Sequence, residues 1–197
     1  MLSCLLLSAG LSTRFGSPKA LAKFTGTTVI GHLQNILIDS LIDEIVIVLG
    51  DHAKEIKSHI LNHKKVRPVY NKDYLLGQTS SFKAGLKEIS PKSRGIMLLP
   101  VDVPTIKTAT INLLADKFLK ATPGILIPTY NDQRGHPPIF HAKFKGALLK
   151  LDNTIGLNVF QKQHEAEVVL FSVEDSGIIR SFNTPEEFDK IKSSFKS

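Results

Sequence analysis

Cysteine is all but absent from this chain. Cys4 is the only one, so no internal disulfide framework can form, and its place inside an apolar run reads as a small buried hydrophobe in a reducing compartment. Long hydrophobic runs are missing as well. None approaches the roughly 18 apolar residues that cross a bilayer. The stretch from Met1 to Leu7 is too short for a signal sequence with its charged flank and cleavage site, so a cytoplasmic protein without membrane association is expected. Nor is there a basic run with interleaved aromatics. The formal charge of +7 comes from residues spread along the chain, which argues against nucleic acid and for a solvated surface and a phosphate-rich substrate. Internal repeats and low-complexity linkers are lacking too. With 197 residues, 42% hydrophobic and 22% charged, the chain is expected to form a single domain over residues 1–197.

What is present alternates between two periods. Ser3 to Leu7, Ile45 to Leu49, Val66 to Tyr70 and Ile96 to Leu99 are short apolar or β-branched runs of the kind found in buried strands. Between them lie helical patterns: one capped by Thr28, one over His52 to His63, one capped by Thr79 and running to about Ile89. A helix over Ile106 to Ala121 follows, then shorter strands at Gly124 to Pro128 and Pro138 to Phe140. Two short helices, Lys143 to Leu151 and Gly156 to Gln163, precede a last strand at Val168 to Val173 and a terminal helix opened by Thr184-Pro185-Glu186-Glu187. Strands alternating with helices imply an α/β fold with a mainly parallel sheet.

The first strand runs straight into Ser8-Ala9-Gly10-Leu11-Ser12-Thr13-Arg14-Phe15-Gly16-Ser17-Pro18-Lys19. This is not a P-loop, because no Gly-Lys-Ser/Thr follows the glycines, and the spacing of Gly10 and Gly16 is not that of a dinucleotide fingerprint. It does combine freed backbone amides, hydroxyls at Ser8, Ser12 and Thr13, and two cations. Arg14 as a fork and Lys19 as a point charge suit the two ends of a triphosphate. In an open α/β sheet ligands bind outside the carboxyl ends of the strands, so Asp102, which follows the fourth strand, belongs to the same crevice.

The pattern Leu-x-Ala-Gly-x-Ser-x-Arg-Phe-Gly-x-x-Lys resembles the signature of the nucleotidyltransferases that make nucleoside-diphosphate sugars and nucleotide-bearing molybdenum cofactors. The chain is most similar to their MobA-like branch, which includes molybdenum cofactor cytidylyltransferase, from residue 3 to about residue 190. That resemblance implies a three-layer α/β/α Rossmann-like nucleotidyltransferase fold with a mainly parallel mixed sheet. It also implies attack by a substrate phosphate on the α-phosphorus of a nucleoside triphosphate, with pyrophosphate leaving.

Carried over residue by residue, Arg14, Lys19 and Asp102 are the catalytic set. Ser8, Ala9, Gly10, Ser12, Arg14, Lys19, Gln78, Thr79 and Ser80 bind the nucleotide, with CTP favoured by Ala9-Gly10 where GTP users have paired glycines. Asp102, in Leu99-Pro100-Val101-Asp102-Val103-Pro104, and Asn183 hold Mg²⁺. Arg134, Gly135, His136 and Pro137 match the family's Arg-Gly-His-Pro and face the acceptor, molybdopterin, with a molybdoenzyme as a further partner. Each has a plainer reading: Asp102 as a turn former, Thr79 as a simple cap, Arg134 to Pro137 as a turn with a hydrogen-bonded histidine.

Two departures from the family pattern bear on the substrate. Ser181 and Asn183 replace two aspartates near the C-terminus, and Asp152 to Asn158 keeps only Gly156 of the family's Gly-Asp-x-Gly-Ala-Arg. These leave two other functions open: the same transfer onto a sugar or polyol phosphate, and a non-catalytic protein that carries the molybdenum cofactor.

Overall fold

The computed structural model describes residues 1–195. The first strand, β1 (Leu2–Ser8), is buried along its whole length, as an uninterrupted apolar run should be. A long loop and a 3₁₀ turn lead to a small antiparallel hairpin, β2 (Lys23–Phe24) and β3 (Thr27–Thr28), which the sequence pattern did not announce. Helix α1 (Val29–Ile38) starts as expected, with the Thr28 side chain accepting from the Gly31 amide.

After β4 (Glu44–Leu49) the structure departs from the pattern. Only Ala53–Lys57 forms a helix, α2, where helical spacing suggested His52 to His63. His52 has a left-handed backbone (φ 52°), and Ile56 is the one buried residue of α2. Beyond α2 the buried Gln34 of α1 donates to the His59 carbonyl (3.0 Å) and accepts from the Leu61 amide (2.8 Å), so these backbone groups are satisfied outside a helix. β5 (Val66–Tyr70) lies at the sheet edge, where Pro68 leaves no interior ladder bond unmade.

Helix α3 (Gln78–Glu88) starts after Gly77, whose φ of 92° a side chain would resist, and not behind a Thr79 cap. β6 (Gly95–Pro100) and α4 (Thr108–Ala121) follow. The start of α4 is served from far away: Asp175 accepts from the Lys107 amide (3.0 Å) and the Thr110 hydroxyl (2.6 Å). Then come β7 (Ile125–Tyr130), β8 (Gln133–Arg134), β9 (Ile139–His141), α5 (Lys145–Lys150), α6 (Leu157–Gln163), β10 (Val168–Ser172) and α7 (Pro185–Phe195).

The sheet order is β10-β7-β9-β6-β1-β4-β5, with β8 paired to β7. β6, β1, β4 and β5 run parallel, and β9 inserts antiparallel between β6 and β7. Successive residues of β1 point to opposite faces. Cys4 and Leu6 pack with Leu33 of α1, Leu114 and Phe118 of α4 and Phe188 of α7, while Leu5 and Leu7 pack with Phe82 of α3, Leu148 of α5 and Phe160 of α6. The result is the three-layer α/β/α arrangement with a mainly parallel mixed sheet. Among the described residues, no helix is long and apolar enough to cross a membrane.

Candidate active site

The carboxyl ends of β1, β4 and β6 open on one side of the sheet, and the loop after β1 covers that opening. Its shape is set locally and then pinned. Ser12 adopts φ 53°, its carbonyl accepts from the amides of Phe15 (2.9 Å) and Gly16 (3.1 Å), and its hydroxyl accepts from the Lys19 amide (3.3 Å). The Ser12 side chain is therefore engaged in closing the loop that presents Lys19. Phe15 anchors the loop from outside, its ring edge-on to Phe182 (5.3 Å) and Phe188 (5.7 Å). At the base of the loop Gly50 leaves room for Ala9, since a Cβ there would lie 2.5 Å from the Ala9 carbonyl oxygen.

Three segments distant in sequence converge on one ammonium. Lys19 Nζ lies 3.3 Å from Asp102 Oδ2 and 3.0 Å from Asn183 Oδ1, and Arg14 Nη2 donates to the same Asn183 oxygen at 2.9 Å. Phe182 brings Asn183 there: its amide donates to the Asp102 carbonyl (3.1 Å), and its ring lies 5.4 Å beneath Lys19 Nζ. The Lys19 and Asp102 side chains are 13% and 26% exposed, so this pair is less screened than an ordinary surface ion pair.

The same geometry tests the fit of a metal. Two hard oxygens, one carboxylate and one amide, already face a positive charge, as they would face a divalent cation. Among the described residues no group of three or more His, Cys, Asp and Glu side chains forms a protein-only cage. The donor set suits a cation that takes its other ligands from phosphate and water.

Beside this cluster is a cavity of about 300 Å³. Ser8 to Ser12, Lys19 and Asp102 line it, together with Asp51, His52, Tyr74, Leu75, Gln78 and Ser81. Ser8 Oγ is buried without a hydrogen-bond partner among the described residues, and Ser8 lies on the cavity wall.

Of the three residues expected at the start of α3, only the exposed Gln78 lines the cavity. Thr79 donates its hydroxyl to the Ile155 carbonyl (2.7 Å), and Ser80 bonds the carbonyls of Asp73 and Gly77 (both 2.8 Å) while accepting from Asn71 Nδ2 (3.0 Å). Both hydroxyls fix how α3 enters. Asp51, His52, Tyr74 and Leu75 were missed by sequence reasoning. For Asp51 and His52 the signal was available: they follow the carboxyl end of a parallel strand. His52 is held between Asp51 Oδ2 (3.3 Å) and Glu55 Oε1 (3.1 Å), and the Glu55 hydrogen bond, with both negative charges, raises its pKa above the usual value.

The Arg134 to Pro137 segment divides. The Arg134 guanidinium is exposed and pairs with Glu165 at 2.5 Å. The Gly135 and His136 amides donate to the carbonyls of Pro128 and Ile178 (each 2.8 Å), and the buried Pro137 follows through a cis peptide bond. The His136 imidazole turns inward. Burial lowers its pKa below the usual 6.5, against the opposing negative charge of Asp102 and a hydrogen bond to the Leu98 backbone, and its Nδ1 has no hydrogen-bond partner among the described residues. Thus His136 is brought to the Asp102 side of the crevice, while Arg134 is held on Glu165.

The altered segment, residues 152–158, is stitched to α3. Besides the Thr79 bond, Lys83 Nζ donates to the Leu151 carbonyl (2.8 Å) and to Asn153 Oδ1 (3.0 Å). Asp152 Oδ1 accepts from the Thr154 amide (2.8 Å) and hydroxyl (2.6 Å), which folds the segment on itself.

Comparison with known proteins agrees with this geometry. Residues 4–168 match the family model for the MobA-like NTP transferase domain. Molybdenum cofactor cytidylyltransferase of Escherichia coli (strain K12) is 24% identical over 188 residues, covering 95% of this chain and 93% of that protein. Nicotine blue oxidoreductase of Paenarthrobacter nicotinovorans is 28% identical over 196 residues, covering 94% of each. A crystal structure of Rv0371c from Mycobacterium tuberculosis H37Rv in complex with manganese superposes with a TM-score of 0.79 at 24% identity, over 98% of each chain.

Proposed function

Since the chain belongs to the MobA-like NTP transferase family, we propose that it transfers CMP from CTP to the phosphate of molybdopterin carrying molybdenum, with Mg²⁺ as cofactor and pyrophosphate as product. The reading places this reaction in the cytoplasm, with the whole chain acting as one domain and a molybdoenzyme receiving the product. The observation that carries it is the meeting of Lys19, Arg14, Asp102 and Asn183 at the mouth of a cavity whose walls offer backbone and side-chain polar groups to a nucleotide.

In this reading an oxygen of the acceptor phosphate bonds to the α-phosphorus of the triphosphate while the α–β bridging bond breaks. Lys19 and Arg14 leave Asn183 for the phosphate chain and offset the charge that builds on the departing pyrophosphate. Asp102 and Asn183 would hold Mg²⁺, which supplies charge neutralisation and alignment of the phosphates when bound. Burial favours the neutral form of His136, whose ring is hydrogen-bonded to the Leu98 backbone, so it stands near Asp102 without adding a fixed charge. No covalent nucleophile is required.

The experiment is a thermal-shift panel of CTP, GTP, UTP and ATP with Mg²⁺, followed by pyrophosphate release on adding molybdopterin or phosphorylated sugars and polyols. A ligand at a hundredfold its Kd adds about 2.7 kcal/mol of stability, which makes a base preference easy to read. CTP is expected to give the largest shift, and molybdopterin to trigger release. Release with a sugar phosphate alone would replace the pterin as acceptor, and nucleotide binding without any release would favour the carrier function. The full-length likeness to an oxidoreductase makes pyrophosphate the right readout, because it reports nucleotidyl transfer directly.

A further inference from the structure

Asn183 is a short side chain asked to hold an oxygen at a fixed point, and the structure fastens its backbone on both sides. Upstream, Phe182 is fully buried, its amide bound to the Asp102 carbonyl and its ring against Phe15 and Phe188 (5.3 and 4.6 Å). Downstream, Thr184 and Glu187 form the reciprocal pair that opens α7. The Glu187 amide donates to Thr184 Oγ1 at 3.3 Å, and Glu187 Oε2 accepts from the Thr184 amide at 3.3 Å.

That pair differs from an ordinary helix cap in one respect. The shortest bond of Glu187 Oε2 goes one residue further out, to the Asn183 amide at 2.5 Å. A carboxylate needed only to cap the helix would end its reach at Thr184. Instead it grips the peptide that carries the cation-facing oxygen.

We propose that Glu187 is a positioning residue for the cation site: it fixes the Asn183 backbone so that Asn183 Oδ1 stays beside Asp102, in place of the second carboxylate this chain lacks. The inference rests on the reading of Asn183 as a metal ligand. Glu187 itself is exposed and acts only through Asn183.

Mn²⁺ binding, followed by its paramagnetic resonance signal in the presence of a non-hydrolysable CTP analogue, tests this apart from turnover. Glu187→Ala is expected to weaken Mn²⁺ binding by about tenfold, the lower end of what loss of an outer-shell partner costs a metal site. Thr184→Ala removes the other half of the same cap and lowers the melting temperature similarly, but should leave Mn²⁺ binding within about twofold because it spares the Asn183 bond. Glu187→Gln, whose amide oxygen accepts the same hydrogen bond, should recover most of the loss. In an Asn183→Ala background Glu187→Ala should cost nothing more. Equal effects of the Thr184 and Glu187 variants, or additive losses in the double variant, would overturn the positioning role. If Asn183→Ala alone left Mn²⁺ binding unchanged, Asn183 would not be a ligand, and the metal assignment would fall together with this inference.

Discussion

The two halves of the crevice are built differently. On the side proposed for the nucleotide, groups from residues 14, 19, 102 and 183 reach one point, and aromatic contacts lock the loop against Phe182 and α7. On the side proposed for the acceptor, Arg134 pairs with Glu165, and residues 152–158 satisfy polar groups against themselves and α3. In the proposed reaction the first half would neutralise a triphosphate, a task that hardly varies with the acceptor, and the second would have to match one particular acceptor. That division follows from the chemistry: transfer depends on placed charge, while acceptor choice depends on shape.

The sharpest way to break the comparison is to remove charge on the nucleotide side. Lys19→Ala and Asp102→Ala are each expected to lower turnover by at least ~100-fold, the scale of losing one preorganised electrostatic group, measured as pyrophosphate release at saturating nucleotide. Near-normal rates in both would remove the distinction between the halves. On the acceptor side the expected loss is smaller and differently distributed. Arg134→Ala should raise the KM for the acceptor by about tenfold, equivalent to ~1.4 kcal/mol, and leave the KM for the nucleotide unchanged. An equal rise in both constants would merge the two halves into one site.

The smallest effect is the dependence of stability on pH. Burial holds His136 below its ordinary value of 6.5, so the folded protein binds fewer protons here than the unfolded chain. The sign follows: this histidine's neutral, folded-state advantage is kept above about pH 6.5 and is lost as pH falls through that value toward the folded pKa. Melting temperature should therefore drop between pH 7 and 5, and His136→Gln should flatten the drop. His52, which lines the cavity and is raised by its carboxylate neighbours, works in the opposite direction. A profile unchanged by His136→Gln would mean that His136 titrates alike in both states.

Much of the fold is legible in the amino-acid sequence, and the legible pieces are local. The run from Leu2 to Ser8, the Thr28 cap and the Thr184 start of α7 each depend on neighbours within a few residues. The misread pieces are decided at a distance. Thr79 looks like a cap until the Ile155 carbonyl, 76 residues later, takes its hydroxyl. The start of α4 differs from the sequence pattern because Asp175, 68 residues beyond Lys107, supplies its capping oxygen. The helix expected over His52 to His63 is only five residues long, and beyond it Gln34 of α1 takes the His59 carbonyl and the Leu61 amide.

At the site the same split holds. The residue types and their motifs, from Gly10 to Lys19, Asp102 and Asn183, could be found in the sequence because chemistry of this kind needs cations and oxygen donors wherever it occurs. Asp51 and His52 could have been found by their place after the carboxyl end of a parallel strand, but Tyr74 and Leu75 could not, because nothing in them marks a cavity wall until β5 brings the segment after it beside β4 and β1. The sequence alone determined the alternating elements, the family pattern and the charged groups, all of them matters of composition and short spacing. Only the tertiary structure decided that Lys19 stands between Asp102 and Asn183 and that Arg134 turns to Glu165. Those depend on the packing of segments up to 164 residues apart, which no local pattern encodes.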